Sequence, residues 1–231
     1  MNSASRRQCA TNPAARRRLL AALGAAPLAA MLAGCAGLRE TRAHVYYELE
    51  DPGRAPAVAA RASARDGRTL LVAGSAAGAF VDGTGLAYSR APGARAYYQL
   101  ASWSERPAER IARLLERRLA ASGAFADVAS AGAPLRPDWL LELQLEQFFH
   151  DDVSPPGDAR IELAAELIDW RARRAIARHR FTQSEPLAAE SAAQAVAAFN
   201  RALARLLDEL QAWTIALAAG SQRPGAAAVG S

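Results

Sequence analysis

The stretch DWLLELQLEQFF, from Asp138 to Phe149, decides the fold because apolar and polar residues alternate along it. From Leu141 to Glu146 every second residue is leucine, and the residues between are glutamate or glutamine. Successive side chains of an extended chain point to opposite faces, so the stretch predicts a strand with one face on a core and the other in water. Four carboxylates recur at strand spacing, Glu142, Glu146, Glu162 and Glu166. They are expected on the solvent-facing side of the sheet and not in an active site.

The chain after this stretch predicts two more strands and a helix. ARIELAAELIDW (residues 159–170) alternates more loosely, and RRAIARHRFTQSE (173–185) can pair with it as a hairpin. HDDVSPPGD (150–158) is polar and is expected to be the loop before the hairpin. An Ala-rich segment, 188–217, carries apolar residues at helical spacing and predicts the last helix.

The chain before the stretch predicts short strands and a first helix. The helix is expected after Ser104 as its cap, with Pro107 in the first turn and Gly123 at the end. Its apolar stripe is Ile111, Leu114, Leu115 and Leu119. The strands are expected within residues 44–51, 68–73, 78–90 and 96–103, and a further one within 125–130.

This order of elements predicts an α+β fold. We expect a single two-layer domain, a mainly antiparallel sheet with two helices packed on one face. The predicted organisation is a lipoprotein signal peptide at residues 1–34, a lipidated tether at 35–43, the α+β domain at 44–218 and a disordered tail at 219–231.

The N-terminus has the three parts of an export signal. Residues 1–18 are basic without any acid, and Leu19 to Leu32 are fourteen uncharged residues. As a helix they would span about 21 Å, which is short of the ~30 Å hydrocarbon core of a bilayer. The segment therefore predicts a signal peptide rather than a membrane span, and the pattern leaves the general and twin-arginine export routes open.

The four residues Leu32, Ala33, Gly34 and Cys35 match the bacterial lipobox. The small side chains before the cysteine let the signal peptidase approach the backbone, and the thiol accepts a diacylglyceryl group. Cleavage before Cys35 frees an amine that can take a further acyl chain, and two or three chains give stable anchoring. The residue after the cysteine is Ala36, at the position where an aspartate would favour retention in the inner membrane. The periplasmic face of the outer membrane is therefore the expected location.

The net charge of +5 belongs to the export signal. Residues 1–34 hold five of the 28 arginines and none of the acids, which leaves 23 arginines against 23 acids in the rest of the chain. A nucleic-acid-binding domain needs a basic patch, so this neutrality removes the main argument for a nucleic-acid partner. The other cysteine, Cys9, lies in the segment that would be removed, so no catalytic thiol or disulfide is expected.

The sequence nominates no catalytic residue, metal site or cofactor. The three histidines show no metal-binding spacing. His150-Asp151-Asp152 could coordinate a cation, although a polar loop at a strand end explains the run as well. The glycines of GSAAGAFVDGTG lack the residues that complete a phosphate loop or a dinucleotide-binding turn, and turns between strands account for them.

Several segments in order resemble the ABC-type transport auxiliary lipoprotein family: YYELED, TLLVAG, GTGLAYSR, YYQLASWSERP and LLELQLEQF, after the lipobox. The resemblance implies a non-enzymatic periplasmic lipoprotein that works with an ABC transporter and an MCE-domain protein in moving lipids between the two membranes. It implies no cofactor beyond the covalent lipid on Cys35. Trp103, Glu105 and Pro107 form the distinctive segment and are a candidate partner interface. For the tryptophans Trp103, Trp139 and Trp213, core packing is favoured over a role as interface anchors.

Other functions stay open at this point. One is a structural or assembly-accessory lipoprotein of the outer membrane that is unrelated to lipid transport. Another is a lipid-anchored hydrolase, for which the sequence offers no nucleophile or base. The sequence also leaves open the lipid cargo and whether the chain forms a homo-oligomer.

Overall fold

A computed structural model describes residues 43–53 and 67–221 of the 231-residue chain. The predicted signal peptide, Cys35, most of the tether and residues 222–231 of the predicted tail lie outside this part. The described elements, in chain order, are β1 (Val45–Tyr47), β2 (Thr69–Ala76), β3 (Gly85–Ser89), β4 (Ala96–Trp103), α1 (Pro107–Ser122), β5 (Asp127–Ser130), β6 (Trp139–Asp151), β7 (Asp158–Asp169), β8 (Arg174–Pro186) and α2 (Ala192–Ser221).

The eight strands form one sheet around β6, the strand that the alternating stretch predicts. The hydrogen-bonded order along one path is β1-β4-β3-β6-β2-β5. Strand β6 has three partners, because β2 pairs with its residues 139–145, β3 with its residues 150–151, and β7 along its whole length. Strand β8 pairs with β7. The predicted hairpin is confirmed, because β6, β7 and β8 pair as an antiparallel meander.

The expectation of a mainly antiparallel sheet is confirmed for the two longest pairings, β6–β7 and β7–β8, but the sheet as a whole is mixed. Strand β2 pairs in parallel with both β5 and β6, β1 pairs in parallel with β4, and β3 pairs in parallel with β6. Parallel neighbours need a crossover connection, and the chain between β2 and β6 supplies one that contains α1. Antiparallel pairing is confined to β3–β4 and the meander.

Both helices pack on one face of the sheet, as predicted. Helix α1 contacts β2, β5 and β6, helix α2 contacts β7 and β8, and the two helices contact each other. The predicted stripe of α1 is buried in the core: Ile111, Leu114, Leu115 and Leu119. Gly74 of β2 allows the close approach, because a Cβ there would lie 2.5 Å from the backbone oxygen of Ala108 in α1.

Several boundaries differ from the sequence expectations. Arg106, not Ser104, is the N-cap of α1 and makes no side-chain cap hydrogen bond, while the Ser104 amide donates to the carbonyl of Tyr47. Gly123 ends α1 in the left-handed conformation, with φ of 64°, as expected. Helix α2 begins four residues later than predicted and continues to Ser221, past the predicted domain end at residue 218.

The face of the sheet opposite the helices is polar, which confirms the wet-face assignment of the four glutamates. Glu166 of β7 pairs with Arg178 of β8 at 2.8 Å, and Glu146 of β6 pairs with Arg180 at 2.9 Å. A bulge between Leu145 and Gln147 shifts the register of β6 on β7. Beyond it Phe148 enters the core, and Phe149 lies on the opposite face, where the Arg95 guanidinium covers its ring at 3.6 Å.

Candidate functional site

The lipidation residues Leu32, Ala33, Gly34 and Cys35 lie outside the described residues, so lipidation at Cys35 stays a prediction. The described chain begins at Ala43, two residues before the start of β1. Among the described strands β1 pairs only with β4, so the predicted tether would enter the domain at an edge strand.

Trp103 of the distinctive segment is a core residue. Its side chain is 1 % exposed, and its ring lies 5.5 Å from that of Phe148 and 5.6 Å from that of Phe199. This burial agrees with the favoured interpretation of Trp103 as a core residue, because the indole is enclosed between the sheet and α2. Two other tryptophans also contribute to packing, since Trp139 is buried and Trp213 lies half-buried against Phe181.

Glu105 and Pro107 connect β4 to α1. Pro107 is buried at the first position of the helix, where the missing N–H costs nothing. Glu105 is partly exposed and forms ion pairs with Arg110, at 3.3 Å, and with Arg113. Both residues have a structural role, and a partner contact at Glu105 or Pro107 stays a prediction.

Arg118 joins both helices to the segment after β1. Its guanidinium donates two hydrogen bonds of 2.6 Å to the two carboxylate oxygens of Asp51, and a third to Asp208 of α2. These bonds, first that to Asp51, raise the pKa of Arg118 above its ordinary value. The bidentate pair holds the N-terminal segment in place, with Arg118 and Asp51 only 11 % and 12 % exposed.

The His150-Asp151-Asp152 run is a loop anchor. His150 is fully buried, accepts a hydrogen bond of 2.7 Å at Nδ1 from the hydroxyl of Tyr98 and donates one of 2.8 Å from Nε2 to the carbonyl of Pro156. Burial, followed by the nearby charge of Asp152, raises the pKa of Tyr98 to about 12, so its hydroxyl keeps the donated proton.

The two carboxylates of the run have arginine partners. Asp151 pairs with Arg160, and Asp152 pairs with Arg90, each at 2.9 Å. Residues 43–53 and 67–221 contain no group of three or more histidine, cysteine, aspartate or glutamate side chains that could hold a metal. The expected polar loop at a strand end therefore accounts for the geometry of the run. A cation would find no free ring nitrogen on His150, because both are hydrogen-bonded.

Three exposed aromatic rings form a surface that the sequence analysis missed, and we call Tyr46, Phe80 and Tyr97 the aromatic surface. Tyr46 is 69 % exposed, Phe80 38 % and Tyr97 41 %. The rings of Phe80 and Tyr97 stack at 4.5 Å with 7° between their planes, and the Tyr97 hydroxyl donates to the carbonyl of Phe80.

The strand register places Tyr46 on the same sheet face as this pair, with β4 between β1 and β3. Tyr46 of β1 is paired with Ser102 of β4, and Ser102 is paired with Gly85 of β3, so all three lie on one face. The Tyr97 ring lies directly on Gly85, where an added Cβ would be 2.4 Å from the ring. The three rings therefore share one end of the sheet face that carries no helix in the described part of the chain.

Two open grooves lie on the same side of the sheet. One of about 360 Å³ begins at Phe80 and is lined further by Val81, Arg95 and Phe149. The other, of about 480 Å³, lies over β6, β7 and β8 and is lined mainly by polar and charged side chains, including those of Glu142, Gln144, Glu166, Arg178 and Arg180. The first groove extends the aromatic surface, whereas the second follows the charge pairs.

None of the helices in the described ranges is long and apolar enough to cross a membrane. No curated protein matches the sequence. The fold is similar to that of a crystal structure from Xanthomonas campestris assigned to the family model DUF330, with 25 % identity, a TM-score of 0.66 and coverage of 77 % of this chain and 98 % of that one. A crystal structure of an uncharacterized protein shares the fold at 15 % identity, with a TM-score of 0.58 and coverage of 74 % and 99 %.

A family model describes most of the described chain. It is the model of the ABC-type transport auxiliary lipoprotein component, and it matches residues 47–211. The match begins at Tyr47, the last residue of β1, and ends at residue 211 within α2, so it contains β2 to β8, all of α1 and most of α2. The chain therefore belongs to the family of ABC-type transport auxiliary lipoprotein components.

Proposed function

We propose that this chain is a lipid-anchored, non-catalytic docking component of an ABC/MCE-type system that moves phospholipids or related lipids between the inner and outer membranes. The observation that carries the proposal is the family match over residues 47–211, preceded in the sequence by a complete lipobox at Leu32 to Cys35. The partners are an MCE-domain protein and the transporter subunits.

The proposed anchor is a diacylglyceryl thioether and an N-acyl chain on Cys35, at the periplasmic face of the outer membrane. In support, Ala36 lacks the charge that favours inner-membrane retention. Two or more acyl chains are sufficient for stable attachment, whereas one would be marginal. The anchor leaves the folded domain free to contact partners in the periplasm.

The described surface is suited to docking rather than chemistry. Two clusters of polar side chains in the fold are paired internally, Arg118 with Asp51 and His150 with Tyr98. The helix-free sheet face offers open grooves and cross-strand charge pairs to a partner. Charge pairs on an open face favour specificity of docking more than its strength.

The test is purification of the full chain from detergent-solubilised envelopes. We expect mass spectrometry to find acylated Cys35 and to identify an MCE-domain protein and transporter subunits in the same fractions. A Cys35→Ser control loses the acyl chains, and an Ala36→Asp variant moves the protein towards the inner-membrane fraction. Acylated protein that brings down neither partner contradicts the transport role and supports a structural or assembly lipoprotein.

A further inference from the structure

The aromatic surface has the composition of a membrane contact. Tyrosine combines a ring that can enter an apolar layer with a hydroxyl that stays in water, and such side chains are enriched at bilayer interfaces. Tyr46 is the most exposed of the large apolar side chains in the described part of the chain, at 69 %. Phe80 and Tyr97 stack on each other, and the strand register puts them on the same face and at the same end of the sheet as Tyr46, across β4.

The predicted anchor places this surface close to a bilayer. Tyr46 follows Cys35 by eleven positions in the sequence, so a fully extended chain reaches at most about 40 Å. The described chain begins at Ala43, and Tyr46 lies in the next strand. The tether thus enters the domain three residues before Tyr46 of the aromatic surface.

The tether also removes the need for strong intrinsic affinity. Three partly exposed rings bury too little apolar area to hold a soluble protein on a membrane. When acyl chains already hold the chain there, the same contact becomes intramolecular and is favoured by a high effective concentration. A small aromatic area is then sufficient to orient the domain.

We propose that Tyr46, Phe80 and Tyr97 insert their rings into the interface of the phospholipid bilayer to which Cys35 is anchored, and thereby orient the domain with the β1 end of its helix-free face towards the membrane. This inference rests on the anchor of the proposed function. The partner is a lipid surface rather than a second copy of the chain or another protein. The groove at Phe80 and Phe149 lies against the bilayer in this orientation.

Cysteine content allows a clean labelling experiment. In the mature chain Cys35 is acylated, so a single introduced cysteine is the only free thiol. The full acylated protein with Tyr46→Cys carries an environment-sensitive fluorophore and is reconstituted in vesicles of phosphatidylethanolamine and phosphatidylglycerol. Trp170→Cys is the matched control, because Trp170 is 52 % exposed and follows β7 at the Trp139 end of β6, away from β3 and β4.

We expect a lipid-borne quencher to quench the label at 46 about threefold more than the label at 170, because rings at an interface lie at headgroup depth. Aqueous iodide gives the opposite order. Adding Phe80→Ser to the Tyr46→Cys protein lowers lipid quenching towards that of the control.

Three results overturn the inference. If the acylated protein floats with the vesicles but both labels are quenched equally, the result contradicts the proposed membrane contact and still supports the proposed anchor. A label at 46 that is shielded from both quenchers shows that a protein surface covers it. Protein that does not float, with unmodified Cys35, contradicts the proposed anchor together with this inference.

Discussion

The hydroxyl of Tyr98 on β4 donates a hydrogen bond of 2.7 Å to Nδ1 of the fully buried His150 at the end of β6. The contact joins two strands that are not neighbours in the sheet and fixes the ring that holds the Pro156 carbonyl. Because both ring nitrogens of His150 are engaged, by Tyr98 and by the Pro156 carbonyl, the His150-Asp151-Asp152 run holds a loop rather than a cation.

Replacement of Tyr98 by phenylalanine leaves a buried nitrogen without its donor. We expect Tyr98→Phe to lower the free energy of unfolding by about 1–3 kcal/mol, the cost of an unsatisfied buried polar group. Urea denaturation followed by circular dichroism measures the change. Tyr46→Phe is the control and is expected to have little effect, because Tyr46 is 69 % exposed. Equal stabilities of the two variants would show that the bond contributes nothing.

Gly74 is expected to tolerate no side chain. A Cβ at Gly74 would lie 2.5 Å from the Ala108 oxygen and 2.8 Å from the Ala112 Cβ, so α1 would have to move off β2. Gly74→Ala should destabilise the domain by at least about 1–3 kcal/mol, as overpacking does. At Gly78 a Cβ meets nothing within 4 Å, so Gly78→Ala should be neutral or slightly stabilising, by up to about 1 kcal/mol. Thermal unfolding of both variants decides the matter, and an equally mild effect at both positions contradicts the close packing.

Arg118 is expected to be the most costly arginine to remove. Loss of its bidentate pair leaves Asp51 with little solvent, and Arg118→Ala should cost about 2–4 kcal/mol. Arg118→Lys keeps the charge but cannot form the two parallel hydrogen bonds of a guanidinium, so its cost should lie between zero and that of Arg118→Ala. The control is Arg180→Ala, because that side chain is 64 % exposed and its pair with Glu146 should contribute less than about 1 kcal/mol. Chemical denaturation gives all three values, and a cost for Arg118→Ala no larger than the control contradicts the assignment.

Glu185 makes stability depend on pH at the acidic end. Hydrogen bonds from Arg201, the larger cause, and from Arg205 lower the pKa of Glu185 below its ordinary value of 4.5. The folded state therefore favours the ionised form of the Glu185 side chain more than the unfolded state does. Its stabilisation is complete above the unfolded pKa and is lost as the pH falls through the folded pKa.

The matching experiment compares Glu185→Gln with the unchanged chain. At pH 7 the variant should be less stable by about 0.5–1 kcal/mol, and the gap should close as the pH falls below about 4. Urea midpoints measured along this range test the sign. A gap that widens on acidification would contradict the direction of the pKa shift.

Much of the fold follows from the sequence because side-chain periodicity reports burial directly. The alternation from Leu141 to Glu146 identifies β6, and the stripe that includes Ile111 and Leu115 identifies the buried face of α1. Gly123 marks the end of that helix because it adopts a left-handed conformation. These signals are local and need no knowledge of the partners.

The pairing of the strands is what periodicity does not report. The continuous apolar run from Leu70 to Val72 marks β2 as a buried strand, but the parallel pairing of Leu70 with Trp139 depends on a crossover that carries no local signal. The role of His150 is hidden for the same reason, since its partner Tyr98 is far away in the sequence. Trp103 looks the same in the sequence whether it is an interface anchor or a core residue, and only the Phe148 and Phe199 rings around it decide.

The central position of β6 has a consequence for the order in which the chain acquires its structure. The meander β6–β8 is joined by short connections, so its loop-closure entropy is small, whereas β2 and β6 must meet across the whole of β3, β4 and α1. We expect the C-terminal half to form the folding nucleus, onto which the N-terminal strands condense. If the predicted signal directs the general export route, which carries the chain unfolded from its N-terminus, that nucleus emerges last. Folding would then be completed only after translocation, whereas the twin-arginine route would require the same nucleus to form before export.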